Sequence, residues 1–261
     1  MPIVNVDAKS LEWCTYLFLS QDPVGLEEWQ GVIDDPTKYD IHTANQISHK
    51  LPGWEDALNG IKSDQAKFGR LIAKVFLFRW IYRGSAFAYS RDPDFMPVSK
   101  SVEFWQDVID KYYRKYKLIE RLHMHYIKQA TTTGSITSPF GREYQFEPVK
   151  KWNGELKWNE SDITNYPNQG CGADVMAVAR VALYQRWKRA RLSGKLISTV
   201  HDSIVADVPE HEVQQVAEMF HKVFLDLPKL VTQAYGVEWN VPMIGEVSVG
   251  PNMKELTEIK F

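Results

Sequence analysis

The sequence has few cysteines and no long apolar run, and both absences exclude classes of protein. Its 261 residues include only two cysteines, Cys14 and Cys171, and neither lies in a C-x-x-C pair. A structural zinc site is therefore not expected, and both thiols are predicted to be reduced and buried in an intracellular protein. No apolar stretch is long enough to cross a bilayer, and the N-terminus lacks the pattern of a signal peptide. We expect a soluble, cytoplasmic protein (host cytoplasm for a viral one) without membrane contact.

The sequence also lacks an excess of charge of either sign. It has 31 basic and 33 acidic residues, a formal net charge of -2 and a pI near 6.4. No global positive field attracts nucleic acid, so any such binding must use local patches. With 44% hydrophobic residues the chain can bury a sizeable core. Helices are predicted over residues 65–82, 101–130, 169–191 and 211–226, and a further helix is predicted to start near residue 40, where Asp40 or Thr43 can cap it. A turn is predicted at Asn153–Gly154 and a last strand in VPMIGEVSVG, residues 241–250. The patterns alternate without a visible repeat or low-complexity linker, which predicts one α+β unit with helical excursions.

The segment STVHDSIVADV, residues 198–208, places three polar residues between two apolar runs that alternate like strands. His201, Asp202 and Ser203 are therefore predicted to lie at a tight hairpin turn. One interpretation is a solvated turn, because Asp and Ser are common turn residues. The other is that Asp202 binds a metal ion, which requires a second acid from elsewhere in the chain.

A second acid stands near the start of the sequence, in NVDAKSLEW. Residues 3–6 are predicted to form a short strand that Asp7 ends, and Glu12 follows five residues later. If the strands that carry Asp7 and Asp202 pair, the two carboxylates meet at one edge of the sheet. Such a pair suits two Mg²⁺ ions about 3.5 to 4 Å apart in phosphoryl transfer. Bound metal would also relieve the repulsion between the two acids.

The segment RLIAKVFLFRWIY repeats a cation or an aromatic residue at every fourth position, at Arg70, Lys74, Phe78 and Tyr82. Four residues turn a helix by about 400°, so these side chains follow one slowly winding stripe. The two cations, about 6 Å apart along the axis, suit neighbouring phosphates, and the two aromatics suit a base and a sugar. The alternative is an amphipathic helix whose aromatics lie in the core and whose cations lie at the surface.

Seven short segments, in sequence order, resemble the polymerase module of family A DNA polymerases. DAKSLE resembles motif A, RLIAKVFLFRWIYRG motif B and VHDSIV motif C. The other matches are DIHT (40–43), FGREY (140–144), NYPNQGCGAD (165–174) and VPMIGEVSVGPN (241–252). Each segment is weak evidence alone, but seven in the same order are highly specific.

The resemblance implies an α+β fold, a polymerase palm with a small antiparallel sheet and an inserted helical fingers subdomain. The palm would comprise residues 1–39 and 131–261, with the motif C hairpin at 197–208. The fingers would comprise residues 40–130, with the motif B helix at 65–82. The resemblance begins at motif A and therefore includes neither a thumb nor an exonuclease region.

The resemblance also implies template-directed DNA synthesis, in which a primer 3′-hydroxyl attacks the α-phosphate of a dNTP. The cofactor would be two Mg²⁺ ions, for which Mn²⁺ can substitute. The metal ligands would be Asp7, Asp202 and the backbone carbonyl of Ala8. The nucleotide-binding residues would be Arg70, Lys74, His42, Phe78, Tyr82 and Glu12. Lys74 would donate a proton to pyrophosphate, and Glu12 would fill the space that a ribose 2′-hydroxyl needs. The residues facing primer–template DNA would be Asn165, Gln169, His201 and Tyr82.

Three residues depart from the family pattern. Ser203 stands where DNA-polymerizing members usually carry Glu, Arg83 separates Tyr82 from Gly84, and Ser161 occupies a place that often holds Arg. The HDS triplet also resembles motif C of phage-type single-subunit RNA polymerases, so RNA synthesis is an alternative. Glu12 and Phe78 favour dNTPs over NTPs. A further alternative is an inactive module that only binds nucleic acid, although such a module has no need of clustered acids that repel phosphates.

The motif A strand is predicted to begin at residue 3, whereas family A polymerases carry a thumb before motif A. We expect the sheet that contains this strand to lack neighbouring strands and to leave an open apolar edge. The sequence therefore predicts one piece of a split polymerase, which works with a second polypeptide that supplies the thumb and the remaining palm. A self-sufficient minimal polymerase, a truncated chain and self-association through that edge are the alternatives.

Overall fold

The computed structural model describes residues 1–35 and 38–261, which divide into two units. The sheet unit comprises residues 1–18, 137–142 and 168–261, and the helical unit comprises residues 19–136 and 143–167. The helices are α1 (Leu11–Ser20), α2 (Pro23–Asp34), α3 (Ile41–Ser48), α4 (Trp54–Leu58), α5 (Asp64–Ile81), α6 (Ala86–Arg91), α7 (Val102–Lys115), α8 (Lys117–Thr133), α9 (Glu160–Ala190) and α10 (Val213–Tyr235). The strands are β1 (Ile3–Ala8), β2 (Ser135–Thr137), β3 (Glu143–Gln145), β4 (Val149–Lys150), β5 (Leu156–Lys157), β6 (Lys195–Val200), β7 (Ser203–Asp207), β8 (Gly245–Gly250) and β9 (Thr257–Ile259).

The core of the sheet unit is an antiparallel sheet whose strands, in the described residues, follow the order β6-β7-β1-β8-β9. Val4 and Val6 of β1 are fully buried, and α10 packs on β1 and β8. Gly245 allows this approach, because a Cβ at that position would stand 2.6 Å from Val6 and 2.7 Å from Phe224. The α+β class with a small antiparallel sheet is confirmed.

Strand β1 is not an edge strand of the sheet. β1 pairs with β7 on one side and with β8 on the other, so it lies inside the sheet. The sequence predicts a last strand where β8 lies, but not its pairing with β1, because that pairing joins segments far apart in the sequence. The open edges of the described sheet are β6 and β9.

The helical unit is built around α5 and a group of stacked aromatic rings. Phe76 of α5 stacks on Tyr89 and Trp105 with ring centroids 4.6 and 5.8 Å apart, and Trp80 lies 5.2 Å from Tyr112. All five side chains are almost completely buried. The core of this unit therefore packs against one face of α5, and the opposite face of that helix remains available for other contacts.

Helix ends were the least accurate part of the sequence interpretation. The single helix expected over 101–130 is two helices, α7 and α8, which meet at Tyr116. Tyr116 is fully buried, and its hydroxyl donates to Glu28 Oε2 at 2.7 Å, so a long-range contact fixes the break. Helix α9 begins at Glu160, nine residues before the predicted start at 169. Helix α10 continues past Pro228 to Tyr235 instead of ending near 226.

The predicted turn at Asn153–Gly154 is confirmed, since Gly154 has φ +85° between the paired strands β4 and β5. Among the helices of the described residues, none is both long enough and apolar enough to cross a membrane.

Candidate active site

Two of the predicted acids meet at one end of the sheet. In the antiparallel pairing of β1 with β7, Asp7 stands opposite Ser203, and the backbone amide of Ala8 donates to the carbonyl of Asp202 at 3.0 Å. His201 takes φ +52° in the turn between β6 and β7. The hairpin tip is thereby fixed against the end of β1, and the carboxyl groups of Asp7 and Asp202 lie within hydrogen-bonding contact.

This arrangement is electrostatically unfavourable for two ionised acids. Burial, together with the charges of Asp202 and Glu246, raises the pKa of Asp7 from 3.8 to about 6. Glu246 lies directly opposite Asp7 on β8, and Lys9 pairs with it at 2.9 Å. Sequence reasoning missed Glu246, because its proximity to Asp7 follows only from the pairing of the two ends of the chain.

The donor set at this end of the sheet fits Mg²⁺. Carboxylate oxygens are its preferred protein ligands, and Mg²⁺ is commonly held by one or two carboxylates, the remaining ligands being water and substrate phosphates. Within residues 1–35 and 38–261, no group of three or more His, Cys, Asp or Glu side chains could hold a metal ion. The repulsion that raises the pKa of Asp7 is the kind that a cation in contact with both acids would relieve.

Glu12 follows Asp7 closely in sequence, in the first turn of α1, and its side chain is half-buried. A buried side chain fixes that turn to α9. Asn168, 1% exposed, accepts a hydrogen bond from Thr15 Oγ1 and donates to the Glu12 carbonyl at 3.4 Å. Thr15 also donates to the same carbonyl, at 2.9 Å. Sequence reasoning missed Asn168, because its only signal in the sequence is its position next to Gln169.

In the helical unit, α5 presents the predicted stripe at its surface. Arg70 and Lys74 are exposed, while Phe78 and Tyr82 are half-buried, Tyr82 standing one residue beyond the end of the helix. The buried face of α5 consists of other residues: Ala66, Gly69, Ile72, Ala73, Phe76, Leu77, Trp80 and Ile81. Phe78 and Tyr82 are therefore not fully buried in the core, while the exposed cations agree with both interpretations of this helix.

Arg70 is held by an acid that sequence reasoning did not select. Its guanidinium donates two hydrogen bonds to Asp40, of which the Nη2–Oδ1 bond measures 3.1 Å. The same carboxylate caps α3, accepting from the backbone amides of His42 at 3.4 Å and Thr43 at 3.2 Å. Burial alone would raise the pKa of Asp40, but hydrogen bonds from Arg70 and Thr43 outweigh it and lower the pKa to about 2.

The first turn of α3 also brings His42 to the stripe. Its ring lies 6.2 Å from that of Phe78, and burial, assisted by the charges of Arg70 and Lys74, lowers its pKa to about 4. His42 is therefore neutral near pH 7. The close approach of α5 to α3 and to the segment after it depends on Gly69, because a Cβ there would stand 2.5 Å from Gln46 Nε2 of α3 and 1.8 Å from the Pro52 carbonyl oxygen.

The predicted site residues are divided between the two units. The sheet unit carries Asp7, Ala8, Glu12, Gln169, His201 and Asp202, and the helical unit carries His42, Arg70, Lys74, Phe78, Tyr82 and Asn165. Asn165 is half-buried, and its Oδ1 has no hydrogen-bond partner among the described residues. Ser203, the departure in motif C, is buried and donates to the Val200 carbonyl at 3.0 Å, which closes the hairpin.

A comparison with known families decides the classification. The model of DNA polymerase family A matches residues 19–255. The chain belongs to DNA polymerase family A. The matched range begins after Asp7 and Glu12, so the interpretation of these two residues depends on the motif A resemblance and on the geometry of β1.

Individual relatives agree with this classification. DNA polymerase I of Pseudomonas aeruginosa is 30% identical over 189 residues, which cover 70% of this chain and 20% of that protein. The DNA polymerase of Bacillus phage SP01 is 24% identical over 228 residues, covering 85% of this chain and 24% of that protein. The chain therefore spans about a fifth to a quarter of the length of these two relatives.

A solved structure shares the fold of this family A chain. It is the POL domain of Pol1 from M. smegmatis in complex with DNA primer–template and dNTP, with a TM-score of 0.74 and 19% sequence identity. The similarity covers 96% of this chain and 39% of that one. The predicted architecture of a family A polymerase module is confirmed.

Proposed function

We propose that this chain carries the palm and fingers of a DNA polymerase and adds deoxynucleotides to a primer as a template directs. The observation that carries the proposal is the contact between Asp7 and Asp202 at the end of β1. These acids, with the Ala8 carbonyl, would hold two Mg²⁺ ions, for which Mn²⁺ can substitute. When bound, such ions lower the pKa of the primer 3′-hydroxyl and neutralise charge on the leaving pyrophosphate.

In the proposed reaction, the primer 3′-oxygen forms a bond to the α-phosphorus of the dNTP, and the bond between that phosphorus and pyrophosphate breaks. The exposed cations Arg70 and Lys74 bind the triphosphate, and Lys74 donates a proton to the departing pyrophosphate. Asp40 fixes the Arg70 guanidinium against α3. Neutral His42 adds a hydrogen-bond donor for a phosphate oxygen without adding charge.

Base and sugar selection are assigned to the remaining residues. Phe78 and Tyr82 are half-buried and keep aromatic surface available to the nascent base pair. Glu12 excludes the ribose 2′-hydroxyl, and the Asn168 hydrogen bonds hold the turn that carries it. The last group, Asn165, Gln169 and His201, contacts primer–template DNA.

Primer extension with the purified chain tests this function. We expect Mg²⁺-dependent addition of dNTPs, little addition of NTPs, and no addition by Asp7→Asn or Asp202→Asn variants that retain the fold. Glu258→Gln, which removes an exposed acid on the edge strand β9, is the matched control and should retain activity. Equal use of NTPs would favour the RNA polymerase alternative. DNA binding without extension in the wild type would favour the inactive module.

We infer further that a second polypeptide supplies the thumb and the remaining palm. The edge strand β6 supports this, because five of its residues are exposed, including Ile197 at 53% and Val200 at 51%. An exposed strand edge with apolar side chains favours pairing with another chain. A net charge of -2 also gives the chain little electrostatic attraction for DNA.

The second polypeptide is tested by purifying this chain alone and measuring its oligomeric state, its DNA affinity and its extension rate. We expect weak DNA binding and short products. A stable monomer that binds primer–template tightly and adds many nucleotides would contradict the inference. Such a result would leave the assignment of the acids intact.

A further inference from the structure

The C-terminal end of α5 has an unusual residue in a left-handed conformation. The amide of Arg83 donates to the Trp80 carbonyl at 2.9 Å, and the amide of Gly84 donates to the Arg79 carbonyl at 2.8 Å. This is the hydrogen-bonding pattern of a helix end whose left-handed position usually holds glycine. Here that position is Arg83, with φ +58°. A side chain that is kept where glycine is favoured indicates a contact that offsets the strain.

The contacts of the Arg83 guanidinium lie within the helical unit. It pairs with Glu160 Oε2 at 2.6 Å, and it hydrogen-bonds the hydroxyl of Tyr113, which in turn contacts His123 Nδ1 at 3.2 Å. His123 is fully buried. The Arg83 side chain is 29% exposed, so its ion pair is partly shielded from solvent. These contacts join the end of α5 to the first turn of α9 and to α7.

The residue after Glu160 makes a second link to the same place. Ser161 Oγ donates to the backbone carbonyl of Tyr82 at 2.8 Å. Two consecutive residues of α9 therefore bind two consecutive residues at the end of α5. Arg83 and Ser161 are also two of the three residues at which the sequence departs from the pattern of the family.

We propose that Arg83, Glu160 and Ser161 form a tether that positions Tyr82, and that this tether sharpens the selection of the correct base pair. The inference rests on the proposed function, in which Tyr82 bounds the nascent base pair. An aromatic side chain discriminates by shape only if its backbone is held in place, because a looser wall admits mismatched pairs. Arg83 and Glu160 are positioning residues here, since they act through Tyr82 and do not touch the nucleotide.

Whether the tether holds the backbone near Tyr82 is tested without catalysis, by hydrogen exchange of the amides at residues 82–84. Glu160→Gln should raise their exchange about threefold to fivefold, the effect expected for a partly exposed ion pair. The charge-swapped double variant, Arg83→Glu with Glu160→Arg, should restore the protection of these amides. Asp64→Asn, which removes an exposed ion-pair partner at the other end of α5, is the matched control and should change nothing at residues 82–84. Unchanged exchange in Glu160→Gln would overturn the tether.

The effect of the tether on base-pair selection is tested by measuring kcat/KM for matched and mismatched dNTPs. Glu160→Gln and Ser161→Ala should each lower the ratio of matched to mismatched addition about threefold to fivefold. The charge-swapped double variant, Arg83→Glu with Glu160→Arg, should restore the ratio that Glu160→Gln loses. A lower melting temperature with an unchanged ratio would mean a structural role and would overturn the effect of the tether on selection. If the wild type adds no nucleotide, the proposed function fails and selection fails with it, while the exchange experiment still decides the tether.

Discussion

Replacing Asp7 by Asn should raise the stability of the metal-free protein while it abolishes nucleotide addition. The two effects have one cause. Burial and the charges of Asp202 and Glu246 make an ionised carboxylate at residue 7 unfavourable in the fold, and the same carboxylate is the proposed metal ligand. Asn has a similar shape but carries no charge, so it removes the repulsion and the ligand together.

The magnitude follows from the pKa of Asp7, which is raised from 3.8 to about 6. For a fully shielded group, this rise in pKa corresponds to a free energy of unfolding that is lower by about 3 kcal/mol when the carboxyl group is ionised. Asp7 is only half-buried, and screening by solvent reduces this to about 1 kcal/mol. For a protein of this size, about 1 kcal/mol corresponds to a melting temperature higher by about 2 to 4 °C.

The sign of the pH dependence is also fixed. Because the folded-state pKa lies above the unfolded value of 3.8, the folded protein binds more protons between pH 3.8 and about 6. The wild type therefore loses stability as pH rises through this range. The difference between Asp7→Asn and the wild type should be near zero at pH 3.8 and should reach its full value above pH 6.

Thermal unfolding with a chelator at pH 4 and pH 7, repeated with Mg²⁺ at pH 7, measures these effects. Mg²⁺ should raise the melting temperature of the wild type and leave that of Asp7→Asn unchanged, because only the wild type binds the ion. Glu258→Gln should follow the wild type throughout. An Asp7→Asn variant that is less stable than the wild type in chelator at pH 7, or that still extends primers, would refute the reasoning.

Three further predictions concern other parts of the structure. Glu12→Ala should lower discrimination against NTPs by about 1 kcal/mol or more, measured as the ratio of kcat/KM for dNTP and NTP. Gly69→Ala should cost about 1 to 3 kcal/mol in urea unfolding, because its Cβ would stand 1.8 Å from a backbone oxygen; a stability equal to the wild type would contradict this close packing. Burial lowers the pKa of His49 and His123 to about 3 each. The free energy of unfolding should therefore fall as pH decreases below 6.5, by up to about 1.4 kcal/mol per pH unit for each histidine. Urea titrations at pH 7, 6 and 5 in the Asp7→Asn background would show this slope, and a flat profile would contradict it.

Local periodicity explains which parts of the site could be predicted from the sequence. The stripe that contains Arg70 and Phe78 follows from the four-residue spacing of a helix, and the hairpin at Asp202 follows from alternating apolar residues. The contact of Asp202 with Asp7 needed one added assumption, that the two strands pair, which the structure confirms.

The residues that were missed depend on contacts between distant parts of the chain. Asp40 was one of two predicted caps for α3, and nothing local indicates that it also binds Arg70 on another helix. Glu246 reaches Asp7 through a pairing between opposite ends of the sequence. No glycine or proline marks the break between α7 and α8 at Tyr116. The hydrogen bond from the Tyr116 hydroxyl to Glu28 supports the break instead. Spacing carries no information about such contacts, so only the folded chain reveals them.

The serine in motif C is easier to understand once Glu246 is known. In the sheet, Asp7 has Ser203 opposite it on β7 and Glu246 opposite it on β8. An acid at residue 203 would place a further negative charge directly beside a carboxyl group whose pKa the existing acids already raise. Ser203 instead hydrogen-bonds the Val200 carbonyl and supports the hairpin that carries Asp202. The departure from the family pattern therefore limits the repulsion at this end of the sheet, and it removes neither of the two acids that the proposed metal site requires.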